Sequence, residues 1–403
     1  MQLICVDEQS FAKLRKKGGI YVDKTKYLYD VFKDGTYFFI SRPRRFGKSL
    51  LCSTIAELFS NNRPLFKNTW IDQSDWDWQE HPVIRLDMTK AAGAASDAAV
   101  VRQGMINILN ENAIRLGIDT LIEQAPHLMF RQLINKIYLK TGMGVVVVID
   151  EYDKPLLDVI ADPHRYKDIH KELAAFYGQL KASSEELRLV FFTGVFKFAQ
   201  TSIFSGLNNI TDLTFSHIAA EMLGYTEDEI KTFFPEHLAA LADGYKVPVP
   251  AMLERLRGQY NGYTFGVNDK TASLVGSVYN PFAINHVFHQ QQMVDQWFVS
   301  GTPSALLAKL REKQIKAIDA EELYIEFNIL KASCEPDQMT AVALLYYAGY
   351  MTLKNYTIQQ KSVTLDFPNA EVAQATSRHL LPLITCKEDT NFGPITRKLN
   401  SLL

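Results

Sequence analysis

Tyr37-Phe38-Phe39-Ile40-Ser41-Arg42-Pro43-Arg44-Arg45-Phe46-Gly47-Lys48-Ser49-Leu50-Leu51 carries an apolar run into a basic loop and out into an amphipathic segment. The order reads strand, phosphate loop, helix. Four β-type residues, Tyr37 to Ile40, precede the loop, and Leu50, Leu51, Ile55, Leu58 and Phe59 follow it at helical spacing. The general phosphate-loop pattern asks for Gly, four free positions, and Gly-Lys-Ser/Thr, and Gly47-Lys48-Ser49 supplies the last three. Each has a chemical reason. Gly47 lets the backbone approach a phosphate without a Cβ clash, Lys48 brings a mobile point charge to the β/γ-phosphates, and the Ser49 hydroxyl suits Mg²⁺. A helix starting here aims free N–H groups at the anion.

The first Gly of the pattern is absent. Arg42 stands in its place, followed by Pro43, which fixes its own φ and donates no N–H. The tripeptide alone is a weak signal, and what strengthens it is a second stretch, Val145-Val146-Val147-Val148-Ile149-Asp150-Glu151-Tyr152-Asp153-Lys154-Pro155. Five consecutive β-branched residues predict a strand buried on both faces, as in parallel sheets. Acids at its carboxyl end lie where open α/β sheets bind ligands. By role, Asp150 resembles the Walker B aspartate of the Mg²⁺ shell and Glu151 the neighbouring carboxylate that activates water. Tandem acids also serve as helix caps, so the motif gains its weight from the upstream loop.

Tyr21-Val22-Asp23-Lys24-Thr25 followed by the Ser41–Ser49 loop resembles the bacterial AAA-ATPase-like family over nearly the whole chain. That family's own loop reads SRPRRFGKS, so the missing Gly agrees with it. The resemblance implies an α/β P-loop NTPase, a parallel sheet with helices on both faces, followed by a mainly helical lid with a winged-helix-like C-terminal part. The expected organisation is a P-loop ATPase domain with an N-terminal lead-in over 1–212, a helical lid region over 213–335, and a winged-helix-like module with a tail over 336–403. The implied activity is Mg²⁺-ATP hydrolysis driving a conformational change. Catalytic candidates are Lys48, Asp150, Glu151 and Thr193, the last because the strand Leu187–Gly194 ends there in a hydroxyl suited to sensing a γ-phosphate. Cofactor-binding candidates are Arg42, Pro43, Arg44, Arg45, Phe46, Gly47, Lys48, Ser49 and Leu50, and the metal candidates are Ser49 and Asp150.

Several readings compete with these. Thr193 could simply end a strand. Arg44 and Arg45 could substitute for an arginine finger or pair with Asp87 or Asp153. Lys197, Ser202 and Ser205 form a polar loop that could face the cleft, and Arg255 or Arg257 could reach it as a lid arginine. Asp23 or Thr25 reads as a helix cap. Trp70, Trp76 and Trp78 read as packing. The joints Tyr260-Asn261-Gly262-Tyr263-Thr264-Phe265-Gly266 and Val278-Tyr279-Asn280-Pro281-Phe282 read as turns with packed aromatics.

The expected elements between the two motifs are a strand at Val83–Asp87 and helices over roughly 101–109 and 128–139, with another over Tyr166–Lys181. Helix plus hairpin is expected over 338–368. There Lys354, Lys361 and Arg378 are too sparse for a DNA-tracking surface, so a lid role leads. Beyond Val372, Lys387-Glu388-Asp389 does not form the acid-acid-lysine set of a nuclease, and no nuclease activity is expected.

Composition bounds the rest. With 403 residues the chain is long for one core, and two to three domains are expected. Forty-three Lys plus Arg against 45 Asp plus Glu give a net charge of −2, so no global basic excess points to nucleic acid. The four cysteines, Cys5, Cys52, Cys334 and Cys386, form no CxxC pair and suggest neither a zinc site nor a disulfide framework. The amino terminus lacks signal-peptide character and no apolar run has the length of a membrane span, so a cytoplasmic protein is expected. The expected ligand is nucleotide. A protein partner or self-association stays open, with DNA weakly supported and no membrane. The rival reading is a nucleotide-dependent switch or scaffold with little turnover, which binds a protein or DNA partner.

Overall fold

The computed structural model describes residues 1–33, 35–93, 97–119, 121–197, 203–204, 207, 209–296, 310, 323–332 and 338–377. Five strands form one sheet: β1 (Tyr37–Ser41), β2 (Val83–Asp87), β3 (Val145–Asp150), β4 (Leu187–Gly194) and β5 (Thr211–Asp212). Their order is β2-β3-β4-β1-β5, and every pairing is parallel. Successive side chains of a strand point to opposite faces, and all of β1 and of Val145–Ile149 is buried, so both faces of the sheet are covered. Burial of each such aliphatic side chain contributes about 1.5–3 kcal/mol.

Parallel neighbours need crossover connections, and helices supply them. The lead-in holds α1 (Phe11–Lys16) and α2 (Thr25–Phe32), and α3 (Lys48–Phe59) leaves the loop after β1. Between β2 and β3 run α4 (Ala98–Arg115) and α5 (Pro126–Thr141); between β3 and β4 run α6 (Lys154–Leu157) and α7 (Pro163–Ala182). The register pairs Ser41 with Gly194, Asp87 with Asp150, and Ile149 with Phe192. The loop after β1, the acids ending β3 and the hydroxyl ending β4 therefore emerge on one edge.

After β5 a second core forms. Helices Glu227–Phe233, Pro235–Gly244, Val249–Tyr260 and Pro281–Gln290 bury Ile230, Leu241, Met252 and Ile284 together with Ile4 and Val22 from the lead-in. A capping box of Thr226 and Glu229 starts the first of these helices, an arrangement worth about 1 kcal/mol. β6 (Gly266–Asn268) and β7 (Ser273–Val275) make a hairpin. The helix and hairpin expected over 338–368 are present as Ala341–Ala348, β9 (Thr352–Thr357) and β10 (Ser362–Asp366). A third strand, β8 (Tyr324–Glu326), pairs with β10, so this sheet begins before the boundary expected at 336. Among the described residues no helix is long and apolar enough to cross a membrane. Ser202, Ser205, Cys334, Arg378, Cys386 and Lys387-Glu388-Asp389 lie outside the described residues.

One joint has no room for a side chain. Gly262 has φ +103°, and a Cβ there would sit 2.0 Å from the Pro368 carbonyl oxygen. Left-handed backbone and backbone contact both penalise any substitution. Gly262→Ala should therefore cost about 3 kcal/mol or more. A thermal melt within a degree of wild type would contradict this account.

Candidate functional site

The apolar run of β1 delivers the loop to the sheet edge, and Gly47 ends it in left-handed backbone, φ +91°, as the residue before α3. That conformation suits glycine and turns the first helical N–H groups outward. A cavity of about 410 Å³ opens there. Arg44 to Leu51 line one wall and Glu151 with Lys154 another. The rest comes from Cys5–Gln9 and Ile20–Val22 with Lys24, from Met222–Tyr225, and from Pro281, Phe282 and Asn285.

Lys48 is 5% exposed, and its Nζ donates to the carbonyl oxygens of Arg42 at 3.0 Å and Pro43 at 2.9 Å. Burial holds its pKa below the ordinary lysine value, opposed by the nearby charges of Glu151, Asp150 and Asp153. Arg44 buries its Nε with no hydrogen-bond partner. Arg45 lies over the Phe282 ring at 3.8 Å. Among the described residues neither arginine forms an ion pair, so the pairing with Asp87 or Asp153 entertained above does not occur. Three cations thus face one cavity without a neutralising partner at bonding distance, which is the donor set that a polyphosphate requires.

Four expected site residues, Arg42, Pro43, Asp150 and Thr193, are not part of that cavity's lining. Arg42 is 1% exposed, and its guanidinium donates to the carbonyls of Ser41, Thr214 and Ala219 and stacks 4.2 Å from the Phe265 centroid. Burial pushes its pKa down to about 10. The side chain is spent on the interior, because a buried guanidinium is tolerable only when its donors are satisfied. Only the carbonyls of Arg42 and Pro43 address the site, through Lys48. Thr193 is fully buried, and its hydroxyl donates to Asp150 Oδ1 at 2.6 Å; the Cys52 sulfur lies 3.7 Å away. Its place is behind Asp150, which it orients.

Glu151 has φ +50°, unusual for a residue with a Cβ. The following segment over-determines that conformation. Tyr152 N–H donates to the Thr193 carbonyl at 3.0 Å, Tyr152 Oη to that of Phe196 at 2.8 Å, and Asp153 Oδ2 accepts from Val195 N–H and Phe196 N–H at 3.0 and 2.8 Å. Ser41 Oγ holds the Val195 carbonyl from the β1 side. The ends of β1, β3 and β4 are thereby cross-linked.

Asp153, read from the sequence only as a possible partner for Arg44 or Arg45, has another role. It is fully buried, and burial pushes its carboxyl up to about 6, well above an exposed aspartate at about 3.9. A raised folded-state value favours folding below about pH 4, and that contribution is lost as pH rises through 6. Asp153→Asn should flatten the dependence of Tm on pH over that window by a few degrees relative to wild type. Equal slopes in the two chains would contradict it.

The lead-in motif also acquires a structural role. The residue before the helix is Lys24, with no side-chain cap bond, so neither Asp23 nor Thr25 is its N-cap; Asp23 Oδ1 accepts from Thr25 N–H at 2.9 Å and its Oδ2 from Trp70 N–H at 2.6 Å, and Thr25 Oγ1 accepts from Ile71 N–H at 3.1 Å. Lys24 bonds both Glu229 carboxylate oxygens at 2.6 Å and the Glu221 carbonyl at 2.8 Å. Lys197 pairs with Asp212 at 2.6 Å and donates to the Lys331 carbonyl, so it does not serve the cavity. Arg257 pairs with Glu227 at 2.7 Å, and neither it nor Arg255 lines the cavity. Among the described residues no group of three or more His, Cys, Asp or Glu is gathered as a metal site. Asp150 and the Ser49 hydroxyl at the start of α3 remain the oxygen donors suited to an ion that phosphates help to hold.

Comparison with known proteins adds three findings. A family model described as "Predicted AAA-ATPase" matches residues 6–204. An uncharacterized protein in the vnfD 5'region of Azotobacter chroococcum mcd 1 is 33% identical over 377 residues, covering 93% of this chain and 69% of that protein. Among solved structures, the Aeropyrum pernix ORC2 protein in ADPNP-ADP complexes is 12% identical, with 94% of this chain and 83% of that one covered at a TM-score of 0.29. Cdc6p from Pyrobaculum aerophilum is 10% identical, with 94% and 93% covered at a TM-score of 0.24.

Proposed function

The chain belongs to the predicted AAA-ATPase family, and from that premise we propose that it binds Mg²⁺-ATP in the cavity at the sheet edge and hydrolyses it to drive a conformational change. The observation that carries the reading is the convergence of unpaired Lys48, Arg44 and Arg45 with Glu151 on one cavity. In this reading Lys48 leaves its two carbonyls for the β/γ-phosphates, and Arg44 and Arg45 add positive charge. Ser49 and Asp150 would hold Mg²⁺, whose chemistry is to neutralise charge on the phosphate oxygens. Thr193 keeps Asp150 in position, and Glu151, fixed by its backbone, orients and deprotonates the attacking water. The remaining walls, from the lead-in and from 222–225 and 281–285, would enclose the nucleoside. The proposed division is a nucleotide-binding part over 1–212, a helical part after it, and a C-terminal module whose sheet starts at β8.

A second reading, a slow switch that holds ATP for a protein or DNA partner, draws on a specific observation: no lid arginine lines the cavity among the described residues. Calorimetric titration of the whole chain with ATP in Mg²⁺ and in EDTA, beside phosphate release with and without duplex DNA, separates the two. Micromolar binding with turnover supports the ATPase, and binding without turnover supports the switch. No binding would overturn both.

A further inference from the structure

The loop lacks its first glycine, and the structure shows what holds it instead. Arg42, in the glycine's place, is bound to the carbonyls of Thr214 at 2.8 Å and Ala219 at 3.1 Å and stacked on Phe265. Phe46, just before Gly47, is 1% exposed and meets Tyr263 edge-on at 4.8 Å and Phe265 at 5.4 Å. The phosphate loop is therefore shaped from outside, by the aromatic joint 260–266. That joint has a second set of attachments. Tyr263 Oη donates to the Gly349 carbonyl at 3.1 Å, at the end of the 341–348 helix. Thr264 N–H donates to Thr352 Oγ1 at 2.7 Å, and that hydroxyl donates back to the Thr264 carbonyl at 3.3 Å, at the first residue of β9. All of these groups are buried, and the contacts run in one chain from Phe46 through the joint to the C-terminal helix and hairpin.

We infer that Phe46, Tyr263 and Phe265 are positioning residues for the phosphate loop, and that through them nucleotide at Lys48 and the conformation of the C-terminal module at 349–352 control one another. This rests on the nucleotide reading of the cavity and deepens it. Coupling between sites is reciprocal, so a module held in its present place tightens nucleotide binding, and nucleotide holds the module. Tyr263 and Thr352 are not themselves part of the cavity lining, which Tyr263 reaches only through the ring of Phe46.

The test is amide hydrogen exchange at 350–353 with and without Mg²⁺-ATP, with ATP affinity measured alongside. Three chains are compared: wild type, Phe46→Ala, and a double variant carrying Tyr263→Phe and Thr352→Val. In wild type ATP should change exchange at 350–353 by at least about fivefold. The double variant should lose that response and, because the coupling is reciprocal, weaken ATP binding by no more than about the same fivefold factor. Phe46→Ala should weaken ATP by about tenfold or more at an unchanged far-ultraviolet spectrum. Should the double variant melt, each single substitution removes one of the two ties and should halve the response. ATP binding by wild type without a change at 350–353, or a double variant that responds like wild type, overturns the inference alone. No ATP binding by wild type overturns the cavity reading and the inference together.

Discussion

Lys48→Ala should lower Mg²⁺-ATP affinity by about 10²–10⁴-fold. Among the described residues the ammonium is the only buried cation whose present partners are two carbonyl oxygens of its own loop, Arg42 and Pro43, at 2.9–3.0 Å. Exchanging those neutral acceptors for phosphate oxygens creates charge-assisted hydrogen bonds worth about 1.5–3 kcal/mol each, and loss of two corresponds to that range. Alanine fits the first turn of α3 and has the best helix propensity, so the fold should persist. Titration calorimetry on variant and wild type reads the change. Affinity within threefold of wild type would mean that phosphates do not lie against Lys48.

Glu151→Gln should leave ATP affinity within about threefold and reduce turnover by about 10²–10⁴-fold, the usual contribution of a positioned general base. Glutamine keeps the length and shape of the side chain and makes no new demand on the left-handed backbone at φ +50°. It removes the capacity to take a proton together with one negative charge near Lys48, a loss that does not weaken binding of an anion. A β-branched substitute would confound the measurement by straining that backbone. Turnover that survives in Glu151→Gln would move the base elsewhere, and Asp150 would be the next residue to test.

The β-branched run 145–149 and the aromatic-apolar run 37–40 declare themselves in sequence because a strand covered on both faces must be apolar at every position. The register that brings Asp150 and the loop to one edge follows once those strands are parallel neighbours. Residues whose work is done by distant partners were not legible. Arg42 sits inside a loop motif and so reads as an anion ligand, yet its partners at Thr214, Ala219 and Phe265 lie more than 170 positions away. Thr193 reads as facing the site, whereas the hydrogen bond to Asp150 turns it inward. Lys24 lies in a motif that marks the family, but nothing local reveals its partner, because its carboxylate is Glu229 on a helix of the other core. Asp153 was visible as a second acid after β3, and only its burial against the 195–196 amides reveals its task.

The strand order also governs when the site can come into being. β1 pairs only with β4 and β5, whereas β2, β3 and β4 are neighbours in sequence order. During synthesis the loop strand emerges first and finds no partner until residue 194 has been made, and its other edge is uncovered until 212. At about 5–20 residues per second the interval from Ser41 to Asp212 is roughly 9–34 s. Closing so long a loop is slow for entropic reasons as well. Nascent Phe38-Phe39-Ile40 is therefore an exposed apolar edge while that interval lasts, and nucleotide cannot rescue it, since the cavity that would bind nucleotide needs residues as late as Asn285.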